Sequence, residues 1–331
     1  MPTGASQSHR TGGNANIGGF RSVTRGNGVI GGEPVNHLIG GGAALLSALC
    51  WAVAALLFRV IGERVPPVTL NWAKGILALV FFAVVWLTVP WRFELNQAVI
   101  LLGISGIVGI AVGDSLYFHA LHHLGPRVTL LVATLVPVEV ALLAAVFLGE
   151  TLPPPAVLGM GITLFSVALV LWERAPPSGR LQHRVTTAGI VVAMVYVNAE
   201  AAAILLTKIG VGEVPSLQAT MIRQFFASVA LTVWVGSVAQ SRRAVARLFH
   251  REVFWLLSVA ALLGTAVGTW LSVAALKYTH TAVATVLNAT SPIFILPLVA
   301  VFFGERISRL SIVGALAAVV GIAVYFFSIA V

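Results

Sequence analysis

The chain contains ten long runs of apolar residues, separated by short stretches that carry charge, proline or glycine. Each run is about 20 residues long, the length that an α-helix needs to cross the hydrocarbon core of a bilayer. In lipid, only helices and closed barrels satisfy their backbone hydrogen bonds, and these long runs without alternation do not fit barrel strands. The sequence therefore predicts an all-α integral membrane protein of about ten transmembrane helices. The runs lie at about residues 38–58, 68–89, 98–121, 128–148, 155–172, 187–207, 215–236, 253–276, 281–303 and 310–330.

Composition excludes a water-soluble fold. The chain is 58% hydrophobic and 9% charged, whereas about a quarter of the residues of a soluble domain are charged. The outer surface must therefore face the lipid bilayer, and a multi-pass protein of the plasma (bacterial inner) membrane is expected. The net charge of +9 comes from basic residues in the tail and loops, where they meet anionic lipid, so it does not indicate nucleic-acid binding.

The sequence before the first run predicts a disordered N-terminal tail over residues 1–37, because it is rich in Gly, Ser, Asn and Arg. The first run begins near Leu38 and is long enough to span, which is not typical of a cleaved signal peptide. The single cysteine, Cys50, excludes internal disulfides and sites with several cysteine ligands. The pair His122-His123 has no carboxylate or cysteine near it in sequence. No metal and no cofactor are predicted.

The two halves of the chain repeat one another. A shift of 155 residues aligns residues 109–150 with 264–305 without a gap, with 15 identities in 42 pairs. The identities include Pro137 with Pro292, and the glycines of two Gly-x-x-x-Gly motifs, which chance matching of apolar residues does not supply. A shift of 149 residues aligns the earlier part of each half. The sequence therefore predicts two copies of one five-helix unit.

The predicted units occupy residues 38–173 and 187–331, joined by a basic linker at 174–186. Because five is an odd number, the second unit enters the membrane from the opposite side. The units are then related by a pseudo-two-fold axis in the membrane plane. Inverted repeats of this kind are the architecture of many secondary transporters.

Each unit carries the same set of motifs: Gly-Asp or Gly-Thr in its third helix, a proline within its fourth, and Phe-x-Gly-Glu at the end of the fourth. The last motif occupies residues 147–150 and 302–305, and the most characteristic segments are residues 148–152 and 303–307. In these motifs, residues 40–330 resemble the EamA family of the drug/metabolite transporter superfamily. The resemblance implies a transporter of small metabolites, most often an exporter of solutes such as amino acids. It also implies a central cavity, with the fifth and tenth helices at the periphery.

Ionisable groups at membrane depth are costly and usually face a cavity or a partner, so they are the candidates for binding substrate or protons. Glu139 is the strongest of them. It lies about 12 residues, or roughly 18 Å, past Arg127, near the bilayer centre. It also follows Pro137, whose missing N–H frees a carbonyl one turn back and can bend the helix. The alternative is a structural ion pair or a buried, protonated acid.

Glu200 lies in the later half of the sixth run, and Tyr196 shares its helical face. Glu200 either lines the path of the solute or pairs with Arg223, which lies in the same half of the membrane. Lys74 and Asp114 also share a membrane half. A structural salt bridge is the favoured interpretation for them, because pairing is the least costly way to bury both charges.

The Gly-x-x-x-Gly motifs are candidates for structural or gating roles, together with Pro137 and Pro292. They consist of Gly109 and Gly113 in the third run, and of Gly264 and Gly268 in the eighth. Close helix packing is the favoured role, and a hinge is the alternative.

The favoured function is alternating-access secondary transport of amino acids or related polar or amphipathic solutes around a midplane cavity. Protons are one candidate for the coupling ion, and a monomer and a homodimer both remain open. A membrane scaffold or lipid-organising protein is the main rival, but it has little reason to keep three acids at depth. A membrane-embedded enzyme is less favoured, because the chain has a single aspartate, Asp114, and no His-Glu-x-x-His motif.

Ten crossings place both termini on one side of the membrane. The tail and the loops on its side hold 6 Lys and Arg residues, and the opposite loops hold 12. The positive-inside rule therefore favours termini outside the cytoplasm, although the family resemblance favours the reverse. Fluorescence from a green fluorescent protein fused after Val331 would contradict the external placement.

Overall fold

A computed structural model of the chain describes residues 34–62, 66–88, 95–173, 186–212, 214–303 and 309–330. All regular secondary structure in these ranges is helical. The predictions for tail residues 1–33, for linker residues 174–185 and for the second Gly-Glu motif at 304–305 lie outside the described residues.

The first half of the chain forms two uninterrupted helices, then a composite third and fourth, then a fifth. The helices are α1 (Pro34–Gly62), α2 (Pro67–Trp86), α3 (Gln97–Ser105), the π-helical segment π1 (Gly106–Gly113), α4 (Asp114–Ala133), α5 (Leu135–Leu143), π2 (Ala144–Leu148) and α6 (Pro154–Glu173).

The second half follows a similar plan, but it adds a short helix α9 and a 3₁₀ turn (Ala246–Phe249), and it has two helices, α11 and α12, where the first half has the continuous α4. Helix α9 carries the basic pair Arg242 and Arg243 and was not predicted. The helices are α7 (Thr187–Val211), α8 (Ser216–Ser237), α9 (Ala239–Val245), α10 (Arg251–Ala260), π3 (Ala261–Gly268), α11 (Thr269–Tyr278), α12 (Thr281–Asn288), α13 (Ser291–Phe303) and α14 (Arg309–Ala330).

Seven helical stretches in the described residues are long and apolar enough to cross a membrane, and three shorter apolar helices accompany them. The shorter ones are Leu135–Leu148, Pro154–Val170 and Thr281–Ile295. They coincide with the predicted fourth, fifth and ninth runs. The sequence predicted a break between the third and fourth runs, at about residues 122–127. The structure has no break there, because α4 continues as a helix through these residues. Pro126 therefore lies inside α4, where a proline removes one N–H from the helical hydrogen-bond pattern.

Proline interrupts the helix at the corresponding place in each half. Pro137 has no N–H to donate to the carbonyl four residues earlier, that of Ala133, and α4 ends at that residue. Pro292 stands in the same relation to Asn288, where α12 ends. The helix break predicted at Pro137 is therefore present, and its repeat counterpart breaks in the same way.

The two Gly-x-x-x-Gly motifs lie in corresponding π-helical segments, π1 and π3. A methyl group added at Gly109 would lie 2.8 Å from the Cβ of Ala203, and one added at Gly264 would lie 2.6 Å from the Cβ of Ala54. Both distances are shorter than side-chain carbons tolerate, so each glycine permits a close helix approach. The close packing favoured from the sequence is present at both motifs.

These two contacts correspond to each other under the sequence shifts. The shift of 155 residues carries Gly109 to Gly264, and the shift of 149 carries Ala54 to Ala203. The first contact joins π1 to α7, and the second joins π3 to α1, so the partners are exchanged between the halves. Helices α6 and α14, which pack against each other, show the same exchange.

In that pair, a methyl group added at Gly159 of α6 would lie 2.6 Å from the carbonyl oxygen of Gly321. A methyl group added at Gly314 of α14 would lie 3.3 Å from the carbonyl oxygen of Ser166. The 155-residue shift relates Gly159 to Gly314 and Ser166 to Gly321. Each half thus presents the same surface to the other.

This packing makes a testable prediction about two glycines of α6. Gly159→Ala places its methyl group against the backbone of α14, and overpacking of this kind typically costs about 1–3 kcal/mol. Gly161→Ala is the matched control, because nothing lies within 4 Å of the added group. We expect the melting temperature in detergent to fall for Gly159→Ala and to hold or rise slightly for Gly161→Ala. Equal melting temperatures would contradict the close α6–α14 contact.

Candidate functional site

Lys74 of α2 and Asp114, the first residue of α4, form an ion pair. The Nζ atom of Lys74 lies 2.9 Å from Oδ2 of Asp114, and their side chains are 16% and 33% exposed. The same Nζ lies 5.8 Å from the ring centroid of Phe118, within the range of a cation–π interaction. The salt bridge favoured from the sequence is present in the structure.

Glu200 of α7 and Arg223 of α8 face the glycines of π1. A methyl group added at Gly109 would lie 3.4 Å from Oε2 of Glu200 and 3.6 Å from Nη2 of Arg223. One added at Gly113 would lie 3.2 Å from the same Glu200 oxygen. The two charged groups therefore flank one place on π1, and the absence of side chains there makes room for them.

The four charges form one electrostatic group. Glu200 interacts with Arg223, Asp114 and Lys74. We call these four residues the charged cluster. Two of its members, Lys74 and Asp114, come from the first half of the chain, and two come from the second. Opposite charges in equal number offset the cost of burying each of them.

Arg223 has hydrogen-bonding capacity that the protein leaves unused. It is 6% exposed, and its Nε has no hydrogen-bond partner in the described part of the chain. The neighbouring Gln224 is also buried, with its Oε1 unpartnered there. A buried donor without an acceptor is costly, because it has lost its hydration. A polar ligand at this place would supply the missing partner.

Tyr196 joins the charged cluster as the sequence predicted. It interacts electrostatically with Glu200 and Asp114. Its ring lies against that of Tyr117, with centroids 5.3 Å apart. Tyr117 was not predicted, although its position three residues after Asp114 puts it on the same helical face. The cluster thus has an aromatic wall contributed by α4 and α7.

Glu139 is not brought to the charged cluster. It lies half-buried on α5, and its helical neighbours Leu135 and Leu142 are 42% and 64% exposed. Within the described residues, none of the ion pairs involves it. The binding or proton-carrying role predicted for Glu139 stays a prediction.

A second polar assembly surrounds Glu150, whose motif carried the family resemblance but for which no role was predicted. Oε2 of Glu150 accepts a hydrogen bond from the backbone N–H of Thr281 at 2.8 Å, and Oε1 accepts one from its hydroxyl at 2.6 Å. Lys208 Nζ lies 3.7 Å from Oε1, and His280 Nδ1 lies 3.8 Å from Oε2. Glu150 thus joins the end of π2 to the second half of the chain.

Several interactions decide the ionisation of Glu150. Burial raises the pKa of its carboxyl. The interaction with His280, the charge of Lys208 and the hydrogen bond from Thr281 lower that pKa, and together they outweigh the effect of burial. The net result is a pKa below the ordinary value of 4.5. The carboxylate is therefore charged at neutral and mildly acidic pH, and its contribution to stability is lost only as the pH falls through this lowered pKa.

Comparison with known proteins agrees with this architecture. The sequence profile of the EamA-like transporter family matches residues 38–172 and, a second time, residues 187–327. The chain belongs to the EamA-like transporter family. An uncharacterized transporter from Archaeoglobus fulgidus is 25% identical over 266 residues, which are 80% of this chain and 90% of that protein. A solved crystal structure shares the fold with a TM-score of 0.65 and 22% identity, over 88% of this chain and 96% of its own.

Membership of the EamA-like family identifies the chain as a multi-pass membrane protein with a transporter's fold. It points to a transporter rather than an enzyme, as expected from the sequence. A small solute and the lipid bilayer are accordingly its partners.

The ion pair of this EamA-like protein makes a testable prediction. Lys74→Met or Asp114→Asn alone strands one partly buried charge, which should cost less than the roughly 3–5 kcal/mol of a fully buried pair, because water still reaches part of the site. The double variant removes both charges and should lose less stability than the worse single variant. The measurement is the melting temperature of each purified protein in one detergent. A double variant as unstable as the worse single variant would contradict the pairing.

Proposed function

We propose that the chain is a secondary transporter that moves small metabolites by alternating access of two inverted five-helix units. The favoured direction is export, and the favoured solutes are amino acids or related zwitterions. The observation that carries the proposal is the charged cluster. It is assembled from both halves of the chain, and within the described residues it leaves the Nε of Arg223 without a hydrogen-bond partner.

Ten crossings are part of this proposal, and contacts between helix ends support them. In a ten-crossing path, the start of the first run and the end of the fourth, sixth and eighth runs share one side of the membrane. Glu150 contacts Thr281, Lys208 contacts Thr279, and His37 also contacts Thr279. These residues belong to those ends or to the start of the ninth run. If the chain crossed the membrane an odd number of times between two of these residues, they would lie on opposite sides and could not be in contact.

The inverted relation of the two units is supported by the exchanged contacts. A two-fold axis requires that each contact between the halves has a counterpart in which the partners are exchanged. The contacts of Gly109 with Ala203 and of Gly264 with Ala54 form such a pair. The contacts of α6 with α14 form another. Two units of equal architecture can then exchange conformations about the site between them.

The chemistry of the charged cluster favours a solute with both charges. Lys74 and Asp114 satisfy each other at 2.9 Å. Glu200 and Arg223 both flank Gly109, and Arg223 retains the unpartnered Nε. A carboxylate on the solute fits the guanidinium, and an ammonium group fits Glu200. The net charge of the site is unchanged when a zwitterion enters it.

Protons are the coupling ion that this proposal favours. The membrane-embedded carboxyls Glu139 and Glu200 are groups that can take up and release a proton during the cycle. Export against a gradient requires such a coupled flow, because the sequence contains no Walker motif for the direct use of ATP.

A transport assay tests the proposal. Purified protein is reconstituted in liposomes that are preloaded with labelled zwitterionic, cationic or anionic solutes, and efflux is measured with and without a pH gradient. We expect zwitterion efflux, and we expect Glu200→Gln to reduce it at least about tenfold, the equivalent of about 1.4 kcal/mol. Glu139→Gln should also reduce it if the predicted role holds. Glu252→Gln, on α10 and outside the cluster, is the matched control.

Two outcomes would count against the proposal. Normal efflux by Glu200→Gln at every pH would remove the cluster from the transport path. No efflux of any zwitterion by a protein that keeps its melting temperature would contradict the assigned solute class.

A further inference from the structure

The assembly around Glu150 has no role in the proposed function described so far. It gathers the ends of helices from both halves at the end of the helix bundle where α1 begins. Its side chains are charged or polar and mostly buried: Thr281 is 0% exposed and Thr279 is 3% exposed, whereas the side chain of Lys208 is 23% exposed. Buried polar groups at the boundary between two moving units require an explanation.

Glu150 occupies the N-terminus of α12. This helix begins at Thr281 after His280, whose own side chain does not cap it. The carboxylate of Glu150 takes that position instead, with hydrogen bonds from the backbone N–H and hydroxyl of Thr281. A carboxylate at a helix N-terminus satisfies a free N–H group and the positive end of the helix dipole. Here the cap comes from the other half of the chain.

Lys208 performs the complementary task at the end of α11. Its Nζ donates hydrogen bonds to the carbonyl oxygens of Leu276 and Thr279, each at 2.7 Å. A cation at a helix C-terminus satisfies free carbonyls and the negative end of the dipole. The same Nζ lies 3.7 Å from Glu150. The turn between α11 and α12 is therefore held at both of its ends, by Lys208 at the end of α11 and by Glu150 at the start of α12.

The first turn of α1 closes over this arrangement. His37 Nδ1 lies 3.2 Å from the hydroxyl of Thr279, and its ring stacks on that of His280 with centroids 5.1 Å apart. A methyl group added at Gly40 would come within 2.8 Å of the Cβ of Thr279. Tyr325 of α14 also contacts the Thr279 hydroxyl, at 3.2 Å. The two halves are therefore in direct contact at this end.

The helix held by Glu150 is a short element, separated from the helix that follows it. It comprises the 8 residues Thr281–Asn288, all of them buried. A non-helical turn at residues 289–290 separates it from α13, because Pro292 removes the hydrogen bond that would join the two helices. Residues in loops and at the ends of elements, such as this turn, can absorb the φ/ψ changes of a hinge motion.

We propose that Glu150 is a positioning residue of a gate, and that its link to Thr281 and Lys208 holds α12 in the state closed on the side where α1 begins. The link joins the two units, so it breaks when the units separate at this end. This inference rests on the proposed alternating access, but it requires no particular solute.

A charged link suits such a gate better than an apolar contact. The gain from pairing two buried charges is largely offset by the loss of their hydration. When the gate opens to water, both groups recover that hydration, so the open state is not strongly disfavoured. The link thus fixes the closed geometry without making closure irreversible.

The experiment measures the accessibility of α12 in nanodiscs, where a water-soluble maleimide reaches both faces. The background is Cys50→Ser, because Cys50 is the single native cysteine. One reporter, Ala284→Cys, lies on α12, and a second, Leu257→Cys, lies on α10; these residues are 0% and 1% exposed in the native protein. The gate variants are Glu150→Ala and Lys208→Met, with Glu252→Gln as a control.

We expect each gate variant to raise the labelling rate at Ala284→Cys at least about tenfold and to leave the rate at Leu257→Cys unchanged. Glu150→Gln, which keeps a hydrogen-bond acceptor but loses the charge, should fall between Glu150→Ala and the native residue. Unchanged labelling at Ala284→Cys would overturn the proposal. Equal increases at both reporters would also overturn it, because they would show a purely structural role. The assay uses no solute, so its outcome is independent of the transport assay.

Discussion

The contact of Glu200 and Arg223 with the glycines of π1 governs how the rest of the molecule is arranged. Two charged side chains from the second half can lie deep in the membrane only if they have compensating charges near them and enough space. The bare backbone at Gly109 and Gly113 provides the space. The pair of Lys74 and Asp114 provides the neighbouring charges. Without both conditions, burial of four charges in lipid would cost more than a helix bundle can offset.

The other half of the molecule has the same scaffold and a different chemistry. Trp51 is the counterpart of Glu200 under the 149-residue shift, and it contacts Gly268 of π3 as Glu200 contacts Gly113. Its indole N–H donates to the carbonyl of Gly264 at 3.0 Å. One copy thus fills the space beside its π-helical segment with a neutral aromatic ring, and the other fills it with charge. A symmetric scaffold with one charged face is consistent with the proposed alternating access of two similar units around a single site.

The sequence was sufficient for the features that follow from local rules. The apolar runs predicted the helices, and the missing N–H of Pro137 predicted a distortion of the helix one turn before it. The ion pair of Lys74 and Asp114 followed from depth and charge. The assembly around Glu150 could not be predicted in this way, since Glu150 and Thr281 are brought together only by the fold. Glu139 shows the reverse: its depth marked it as important, but depth alone does not determine which face of α5 it occupies.

The central claim is that Glu200 and Arg223 bind the two charged ends of one solute. The most direct test is the affinity of the purified protein for a transported zwitterion and for its analogue without the amino group. Each is measured by calorimetry with native protein and with Glu200→Gln. Loss of the amino group should weaken binding to the native protein about 10- to 100-fold, the range for a hydrogen bond to a charged group. It should have little effect on binding to Glu200→Gln. An equal loss of affinity in both proteins would contradict the account.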